Sequence, residues 1–250
     1  MTGHESALLS AFVFLSALLY SSVGHGGASA YLATLALFPY PKEPAIATAL
    51  ILNILVSALS MIVYARSKHF RWNLTWPFLL TSVPAAYCGG RLHISSGVYS
   101  FLLALALLLA AWRLWVESAA WDKPLNADRV PFYAALPLGA AIGLTSGLIG
   151  IGGGVFLSPI ILFLGLAGAK ETAATSACFI LINSVSGLAA RWPVSLDLVP
   201  VGMWSLIVAA LAGGLIGSKA GSQHWSSMTL RKVLGVVLGM AGLKLLHAAL

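Results

Sequence analysis

Long stretches without any charged side chain divide this sequence into helix-sized segments. Seven stretches contain no Asp, Glu, Lys or Arg: 6–41, 44–65, 72–90, 92–112, 130–169, 172–190 and 198–218. An eighth apolar stretch, 233–250, is interrupted only by Lys244. A transmembrane helix needs about 20 consecutive apolar residues, whereas a buried helix of a soluble protein seldom needs more than about 14. The pattern therefore predicts a bundle of membrane-spanning helices, and the two longest stretches must each hold more than one segment.

The overall composition excludes a soluble domain. Hydrophobic residues make up 59% of the chain, charged residues only 8%, and the mean hydropathy is +0.93. A soluble domain carries about 25% charged residues, which keep its surface in water. Apolar side chains must therefore face lipid, and the expected fold class is an all-α integral membrane protein.

The net charge of +7 is explained by short loops between the predicted helices. Lys and Arg cluster at 66–71 and 123–129, which is typical of loops on the inner side of a membrane. Nucleic-acid binding would need a solvated basic face, which the pattern does not provide. Cys88 and Cys178 lie in apolar stretches and are expected to be free buried thiols rather than a disulfide or metal ligands.

Two parts of the chain resemble each other in the order and spacing of their elements. The matching elements are the glycine clusters at 24–27 and 150–154, the Lys-Glu pairs at 42–43 and 170–171, Asn53 and Asn183, and the span ends at Arg91 and Lys219. The stretch 117–130 holds three of the seven acidic residues and is the best candidate for a linker. We therefore expect two homologous transmembrane halves, 1–116 and 131–250, joined by this linker.

The number of crossings decides whether the two halves are parallel or inverted. If each glycine cluster only kinks a helix, each half has four spans, the halves are parallel, and 8 of the 14 Lys and Arg lie inside when the loop 66–71 is inside. If the chain reverses at the glycines, each half has five segments, the halves are inverted, and 10 of the 14 lie inside. The positive-inside rule favours inversion. Against it, 28–38 and 155–167 are short for spans, and re-entrant segments are the alternative.

The glycine clusters are the strongest candidates for a substrate-binding site. They comprise Gly24, Gly26 and Gly27 in the first half and Gly150, Gly152, Gly153 and Gly154 in the second. So many glycines break a helix and free N–H groups at the start of the next one, where hydrogen bonds and the helix dipole favour an anion. Transporters built from repeats also place their substrate at such interrupted segments, beside a central cavity. Close packing of helices through small residues is the alternative explanation.

Polar side chains in the apolar stretches extend this candidate site. His25 is the only His, Asp, Glu, Lys or Arg between positions 6 and 41, and it could bind an anion when protonated or carry a coupled proton. Its counterpart is Ile151, so the glycine turn itself does not require His, and a helix cap or an interfacial position is the alternative role. Asn53 and Asn183 lie in mid-span and are expected to bind substrate or freed backbone, with bonding between helices as the alternative.

Charged residues at the ends of the predicted spans fall into two groups with different expected roles. Glu43 and Glu171 open helices, where the helix dipole stabilises a carboxylate, and capping is their expected role. Arg91 and Lys219 are candidates for drawing an anion toward the site, although snorkelling to the membrane interface explains them as well.

No sequence feature supports catalysis or a cofactor. The chain contains neither an HExxH motif nor a GxxxxGK[ST] phosphate loop, and no carboxylate pair stands at membrane depth. We therefore expect no enzyme activity, no cofactor and no metal. An intramembrane enzyme would need clustered His, Asp or Glu, and a scaffold would spread its glycines as small-xxx-small faces, whereas these glycines are expected to concentrate in turns.

The glycine-rich stretches resemble the TauE/SafE family of sulfite and organosulfonate exporters. The resemblance is carried by SSVGHGGASAYLATLALF at 21–38, GLTSGLIGIGGGVFLSPIILFLG at 143–165, GLIGSKAG at 214–221 and VLGVVLGMAGLKLL at 233–246. It implies a multi-pass permease of the bacterial inner membrane that exports small sulfur-containing anions such as sulfite, sulfoacetate or other organosulfonates, coupled to an ion gradient. The implied partners are the anionic substrate and the lipid bilayer, with homo-oligomer formation left open. A permease for another small anion, or a membrane scaffold without transport, is the alternative.

Overall fold

Helices account for all of the regular structure in the described part of the chain. A computed structural model describes residues 3–38, 40–92, 94–116, 131–191 and 203–223, and four single residues beyond them. Within these ranges the helices are α1 (Gly3–Ser21), α2 (Ala28–Leu37), α3 (Lys42–Arg66), α4 (Trp72–Arg91), α5 (Ser96–Val116), α6 (Phe132–Ile149), α7 (Gly154–Phe163), α8 (Ala169–Ala190) and α9 (Met203–Gln223). The predicted all-α fold is confirmed for these residues.

Within the described ranges, five helices are long and apolar enough to cross a membrane: α1, α3, α6, α8 and α9. By contrast, α2 and α7 have ten residues each and are about 15 Å long, half the thickness of the hydrocarbon core. Large apolar side chains such as Phe12, Leu80 and Trp204 point outward, where lipid rather than water accommodates them. The predicted multi-pass membrane protein is confirmed.

The helices repeat in order and in length along the chain. In residues, α1 and α6 have 19 and 18, α2 and α7 have 10 each, α3 and α8 have 25 and 22, and α4 and α9 have 20 and 21. The first half closes with α5, whose expected counterpart at 233–250 lies outside the described residues except for single positions. The linker 117–130 also lies outside them, so the division into two domains stays a prediction.

Rows of glycine join each half to the other. Gly139, Gly143 and Gly147 of α6 meet Phe78, Ser82 and Ala86 of α4, and Gly213, Gly217 and Gly221 of α9 meet Phe14, Leu18 and Ser22 at the end of α1. In each pair, the residue numbers of the contacting positions increase together along both helices, so the two helices run in the same direction. A Cβ atom at any of the six glycines would come within 2.4 Å of a backbone oxygen of the partner. The expectation that glycines concentrate in turns is therefore wrong for these six, which pack helices at small-xxx-small spacing.

The central contact between the halves joins α3 and α8. Asn53 of α3 donates to Ser184 of α8, and Leu50, one turn earlier, contacts Gly187. Tyr64, near the end of α3, packs with Ala173, near the start of α8. These contacts descend along one helix as they ascend along the other, so α3 and α8 are antiparallel. Inverted halves require such an arrangement of equivalent helices, and the packing is consistent with the predicted inversion.

Candidate functional site

Each glycine cluster forms a loop between a long helix and a short one. The first loop joins the end of α1 to α2, and the second joins the end of α6 to α7. Left-handed backbone occurs at Gly24, Gly27, Gly150, Gly152 and Gly153. L side chains rarely adopt such φ angles, so these positions explain why the loops need glycine. The predicted breaks in the helices are therefore present at both clusters.

The remaining two glycines, Gly26 and Gly154, are needed for space. A Cβ at Gly26 would lie 2.0 Å from the Asn53 Oδ1 atom, and one at Gly154 would lie 2.3 Å from the Ile180 Cδ1 atom. The same Cβ at Gly154 would be 3.4 Å from the His25 Cδ2 atom. The two loops thus approach each other closely, although they are far apart in the sequence.

Each loop also packs against the opposite half of the chain. Gly24 of the first loop lies against the backbone of Ala173 in α8. In the second loop, Gly150 lies against Ile46 and Gly152 against Asn53, both in α3. Residues 22–27 and 150–154, with the facing sides of α3 and α8, therefore form one shared region, which we call the glycine-loop site.

His25 is buried in the glycine-loop site, with 2% of its surface exposed. Its Nδ1 atom lies 2.9 Å from the Val23 carbonyl oxygen, and its Nε2 atom lies 3.1 Å from the Gly154 carbonyl oxygen. The imidazole therefore joins its own loop to the first turn of α7. The structure thus places this predicted site residue where the two glycine loops meet.

Two serines that the sequence analysis did not select complete the surroundings of His25. The Ser158 hydroxyl lies 3.0 Å from His25 Nε2 and 2.5 Å from the Ser176 hydroxyl, and all three side chains are buried. Ser158 stands four residues after Gly154, so it shares a face of α7 with that glycine. This spacing was visible in the sequence, but only the fold shows that this face meets His25.

Asn53 closes the start of α2. Its Oδ1 atom accepts a hydrogen bond of 3.1 Å from the Ala28 backbone N–H, and its Nδ2 atom donates to Ser184 at 2.8 Å. The side chain thus bonds freed backbone in its own half and a hydroxyl in the other half. Both roles were expected of this residue as alternatives, and in the structure it performs them together.

Asn183 has different partners, although it matches Asn53 in the repeat. Its Nδ2 atom donates to Ser82 of α4 at 3.1 Å and to the Phe179 carbonyl at 2.9 Å. Its Oδ1 atom is buried and has no hydrogen-bond partner among the described residues. Asn53 stands ten residues after Glu43, whereas Asn183 stands twelve after Glu171. Two additional residues turn a side chain by about 200° around a helix, so the two amides face different ways.

Asn183 bonds elsewhere, so the start of α7 has no side-chain cap. The backbone N–H groups from Gly152 to Val155 donate to no acceptor among the described residues. Ser146, which packs beside Gly153, has a buried hydroxyl that also lacks a partner there. Unsatisfied buried donors of this kind are uncommon and are the groups that an anion binds at a helix N-terminus.

The predicted capping carboxylates lie where they were expected. Glu43 and Glu171 stand in the first turns of α3 and α8. The Glu171 carboxylate accepts a hydrogen bond of 3.4 Å from the Gly168 N–H, at the residue before the helix, and lies 3.6 Å from the Arg71 guanidinium. Neither glutamate belongs to the glycine-loop site.

The structure does not bring Arg91 and Lys219 into the glycine-loop site. Both side chains are exposed at or near helix ends, and Arg91 donates to the Tyr87 hydroxyl at 2.8 Å. Their role in attracting anions stays a prediction.

A cation that the sequence analysis did not select lies closer to the site. The Arg191 guanidinium donates to the backbone carbonyls of Gly147 at 2.7 Å, Leu148 at 3.2 Å and Gly187 at 3.0 Å. It thereby caps the end of α6, immediately before Gly150. Its position at the end of a long uncharged stretch was a signal, but the same position is typical of ordinary interfacial arginines.

Comparisons with known proteins agree with this architecture. The sequence profile of the family described as "Sulfite exporter TauE/SafE" matches residues 9–245. The "Probable membrane transporter protein y4hK" of Sinorhizobium fredii is 39% identical over 248 residues, which cover 97% of this chain and 98% of that protein. The "Probable membrane transporter protein YunE" of Bacillus subtilis is 25% identical over 230 residues, 82% of this chain and 81% of that protein.

A third similar protein, the "Probable membrane transporter protein MJ0441" of Methanocaldococcus jannaschii, is 28% identical over 214 residues, 81% of this chain and 78% of that protein. No solved structure matches the chain. The family profile covers nearly the whole chain, including both glycine loops and every helix that contacts them. The chain is therefore a membrane transporter of the TauE/SafE family.

Proposed function

We propose that this transporter exports small sulfur-containing anions, such as sulfite, sulfoacetate or other organosulfonates, across the bacterial inner membrane. The family description supports this substrate class. Transport is driven by an ion gradient, because the chain has no nucleotide-binding motif. The anion crosses the membrane chemically unchanged.

The observation that carries the proposal is the uncapped start of α7. Its free N–H groups are buried, and the helix dipole adds to their attraction for negative charge. A sulfonate or sulfite group presents three oxygen atoms, which match several converging N–H donors. His25, beside the first turn of α7, adds positive charge when it is protonated.

The start of α2 is less suited to an anion. Asn53 already occupies its first N–H group, and the amide oxygen places partial negative charge there. We therefore propose a single anion position in each chain, at α7. A transported metal ion would need oxygen, nitrogen or sulfur ligands, and the described residues contain no group of three His, Cys, Asp or Glu that could hold one.

Efflux of labelled sulfite and sulfoacetate from proteoliposomes tests the proposal. We expect efflux above that of protein-free liposomes, and we expect Gly153→Leu to reduce it to their level. Gly153 has a φ of +80°, and a Cβ there would lie 2.9 Å from both Ile142 and Phe179. Gly97→Leu is the matched control, because no atom lies within 4 Å of a Cβ at that position.

The result can also contradict the proposal. Absence of sulfur-anion efflux by the folded wild-type protein would rule out the substrate class. Stronger inhibition of efflux by nitrate or phosphate than by unlabelled sulfonate would identify another small anion as the substrate. Normal efflux by Gly153→Leu would rule out the position at α7. Size-exclusion chromatography in detergent establishes that each variant is folded.

A further inference from the structure

We propose that His25 takes up one proton when the anion binds, and that a row of hydroxyl groups on α7 and α8 delivers it. The row consists of Ser158, Ser176 and Thr172. This inference rests on the anion position proposed above and adds the identity of the coupled ion and its route.

The hydrogen-bond partners of His25 favour its protonated form. One ring nitrogen faces the Val23 carbonyl and the other faces the Gly154 carbonyl. A neutral imidazole has only one N–H, so it can donate to one of these oxygens, while its other nitrogen directs a lone pair at the second. Protonation supplies a donor to both carbonyls. The fold thus places a carbonyl against each ring nitrogen, and an imidazolium donates to both, while Ser158 also donates to the Gly154 carbonyl.

The row of hydroxyls begins at the same ring. Ser158 lies 3.0 Å from His25 Nε2, and Ser176 follows at 2.5 Å from Ser158. Thr172 stands four residues before Ser176, on the same face of α8. The Thr172 hydroxyl is buried and has no hydrogen-bond partner among the described residues. A buried polar atom of this kind is a natural position for a bridging water molecule.

The row points toward the charged end of α8. Lys170 and Glu171 lie in the first turn, and the Glu171 carboxylate is 3.6 Å from Arg71. Side chains of this ion pair are about one third exposed, at 38% for Arg71 and 32% for Glu171. His69 adjoins them, and its pKa is lowered by burial and by Lys170 against the opposing effect of Glu171. Protons from water are therefore available at this end of the helix.

Other elements around His25 contribute few titratable groups. The Tyr20 ring of α1 lies edge-on at 6.3 Å, and Tyr31 of α2 donates its hydroxyl to the Gly26 carbonyl. The α7 sequence contains no titratable residue, and α3 faces the site with the uncharged Asn53 and with Tyr64, whose buried hydroxyl donates to the Ser22 carbonyl at 2.8 Å. The Lys42-Glu43 pair stands at the start of α3, on the side where α8 ends, because the two helices are antiparallel.

Binding of the anion and of the proton at the same time follows from the electrostatics of a buried site. An anion alone at α7, or an imidazolium alone at His25, leaves a charge in a medium of low dielectric constant. When both are present, each offsets the cost of burying the other. Thermodynamic linkage then makes the effect reciprocal, so the anion raises the proton affinity of His25 by the factor by which the proton raises anion affinity.

The proton step requires only a proton from bulk solvent. Neutral His25 keeps its hydrogen on Nδ1, in a hydrogen bond to the Val23 carbonyl, and Nε2 accepts a proton from the Ser158 hydroxyl. Ser158 regains a proton from Ser176, Ser176 regains one from water beside Thr172, and this water regains one from bulk solvent at the charged end of α8. The serines and the water end unchanged, one solvent proton has been taken up, and the new Nε2–H donates to the Gly154 carbonyl.

Proton uptake on anion binding tests the first part of the proposal. Purified protein in weakly buffered detergent solution is mixed with sulfoacetate, whose sulfonate and carboxylate stay ionised near neutral pH. We expect close to one proton taken up per anion. Anion affinity should fall about tenfold per pH unit over the pH range in which this proton uptake is observed. His25→Ile, which installs the residue of the second loop, should abolish proton uptake, whereas His69→Gln should preserve it.

The outcomes separate this inference from the proposed function. If wild-type protein binds and transports sulfoacetate without taking up protons, the inference is overturned and the proposed function survives. If wild-type protein neither binds nor transports a sulfur anion, the proposed function itself has failed. Because the decisive measurement uses the wild-type protein, misfolding of His25→Ile cannot conceal either result.

Flux driven by a pH gradient tests the row of hydroxyls. We expect Ser158→Ala, Ser176→Ala and Thr172→Val to slow this flux about tenfold or more, while equilibrium proton uptake per anion stays unchanged. Thr175→Val is the matched control, because Thr175 is also buried on α8 but its hydroxyl accepts a hydrogen bond of 3.4 Å from Thr75 of α4. Equal rates for all four variants would overturn the route.

Discussion

The two glycine loops have similar backbones but different polar surroundings. Each joins a long helix to a ten-residue helix through left-handed glycines. The first loop carries His25, and Asn53 caps the helix that follows it. The second carries Ile151, and the helix that follows it has no side-chain cap. Both loops thus break the helix but are specialised differently: the first supplies side chains, and the second leaves the start of its helix without a side-chain cap.

The largest effect is expected from exchanging the residues that distinguish the loops. We expect the double variant His25→Ile with Ile151→His to show no anion flux above background in proteoliposomes. Ile151 is 3% exposed and belongs to the apolar core, so an imidazole at this position resists protonation.

Ile151→Val serves as the control for this exchange, because it changes the same position without adding a polar group. Flux of the double variant at the wild-type level would mean that the two loops are interchangeable. The specialisation described above would then be wrong.

A smaller effect is expected at the arginine beside the second loop. Arg191→Gln should lower the free energy of unfolding by about 2 kcal/mol, because it removes charged hydrogen bonds to the carbonyls that end α6. Thermal unfolding in detergent measures the change. Arg91→Gln is the matched control, since Arg91 is exposed and bonds only to a neighbouring tyrosine within the described residues. Equal shifts for both variants would contradict the capping role of Arg191.

The smallest effect distinguishes the two equivalent asparagines. Asn53→Ala should destabilise the protein by about 1 kcal/mol more than Asn183→Ala, because Asn53 caps α2 and also bonds to the other half. The Asn183 side chain already has an unsatisfied oxygen, so its replacement by Ala removes less stabilising hydrogen bonding. The same unfolding measurement compares them, and a larger loss for Asn183→Ala would reverse the assignment of the capped helix.

Much of the fold could be predicted from local patterns in the sequence. Stretches without charge predict α3, α8 and α9, since each lies almost wholly within one such stretch. The glycine clusters predict the breaks before α2 and α7, because three or four glycines within five residues strongly disfavour a helix. The rows of glycine in α6 and α9 also follow a visible four-residue spacing, but this spacing alone does not identify the helix that each row contacts.

The details of the site depend on contacts that no local pattern contains. Ser158 and Ser176 are ordinary helix residues until the first loop brings His25 to them from the other half. The difference between Asn53 and Asn183 was visible as spacings of ten and twelve residues from a glutamate, yet its meaning required knowing which face of each helix meets a loop. The capping role of Arg191 could be recognised only from the fold, which places the end of α6 beside the end of α8.

The packing of α1 against α9 has a consequence for the biogenesis of the protein. The glycines that receive α1 lie at positions 213 to 221, about 200 residues further along the chain. During synthesis, α1 must therefore enter the membrane long before its native neighbour α9 exists. Contacts so distant in sequence form slowly. Until α9 has been made, α1 consequently remains in the bilayer with a helix face that only lipid or the insertion machinery can cover.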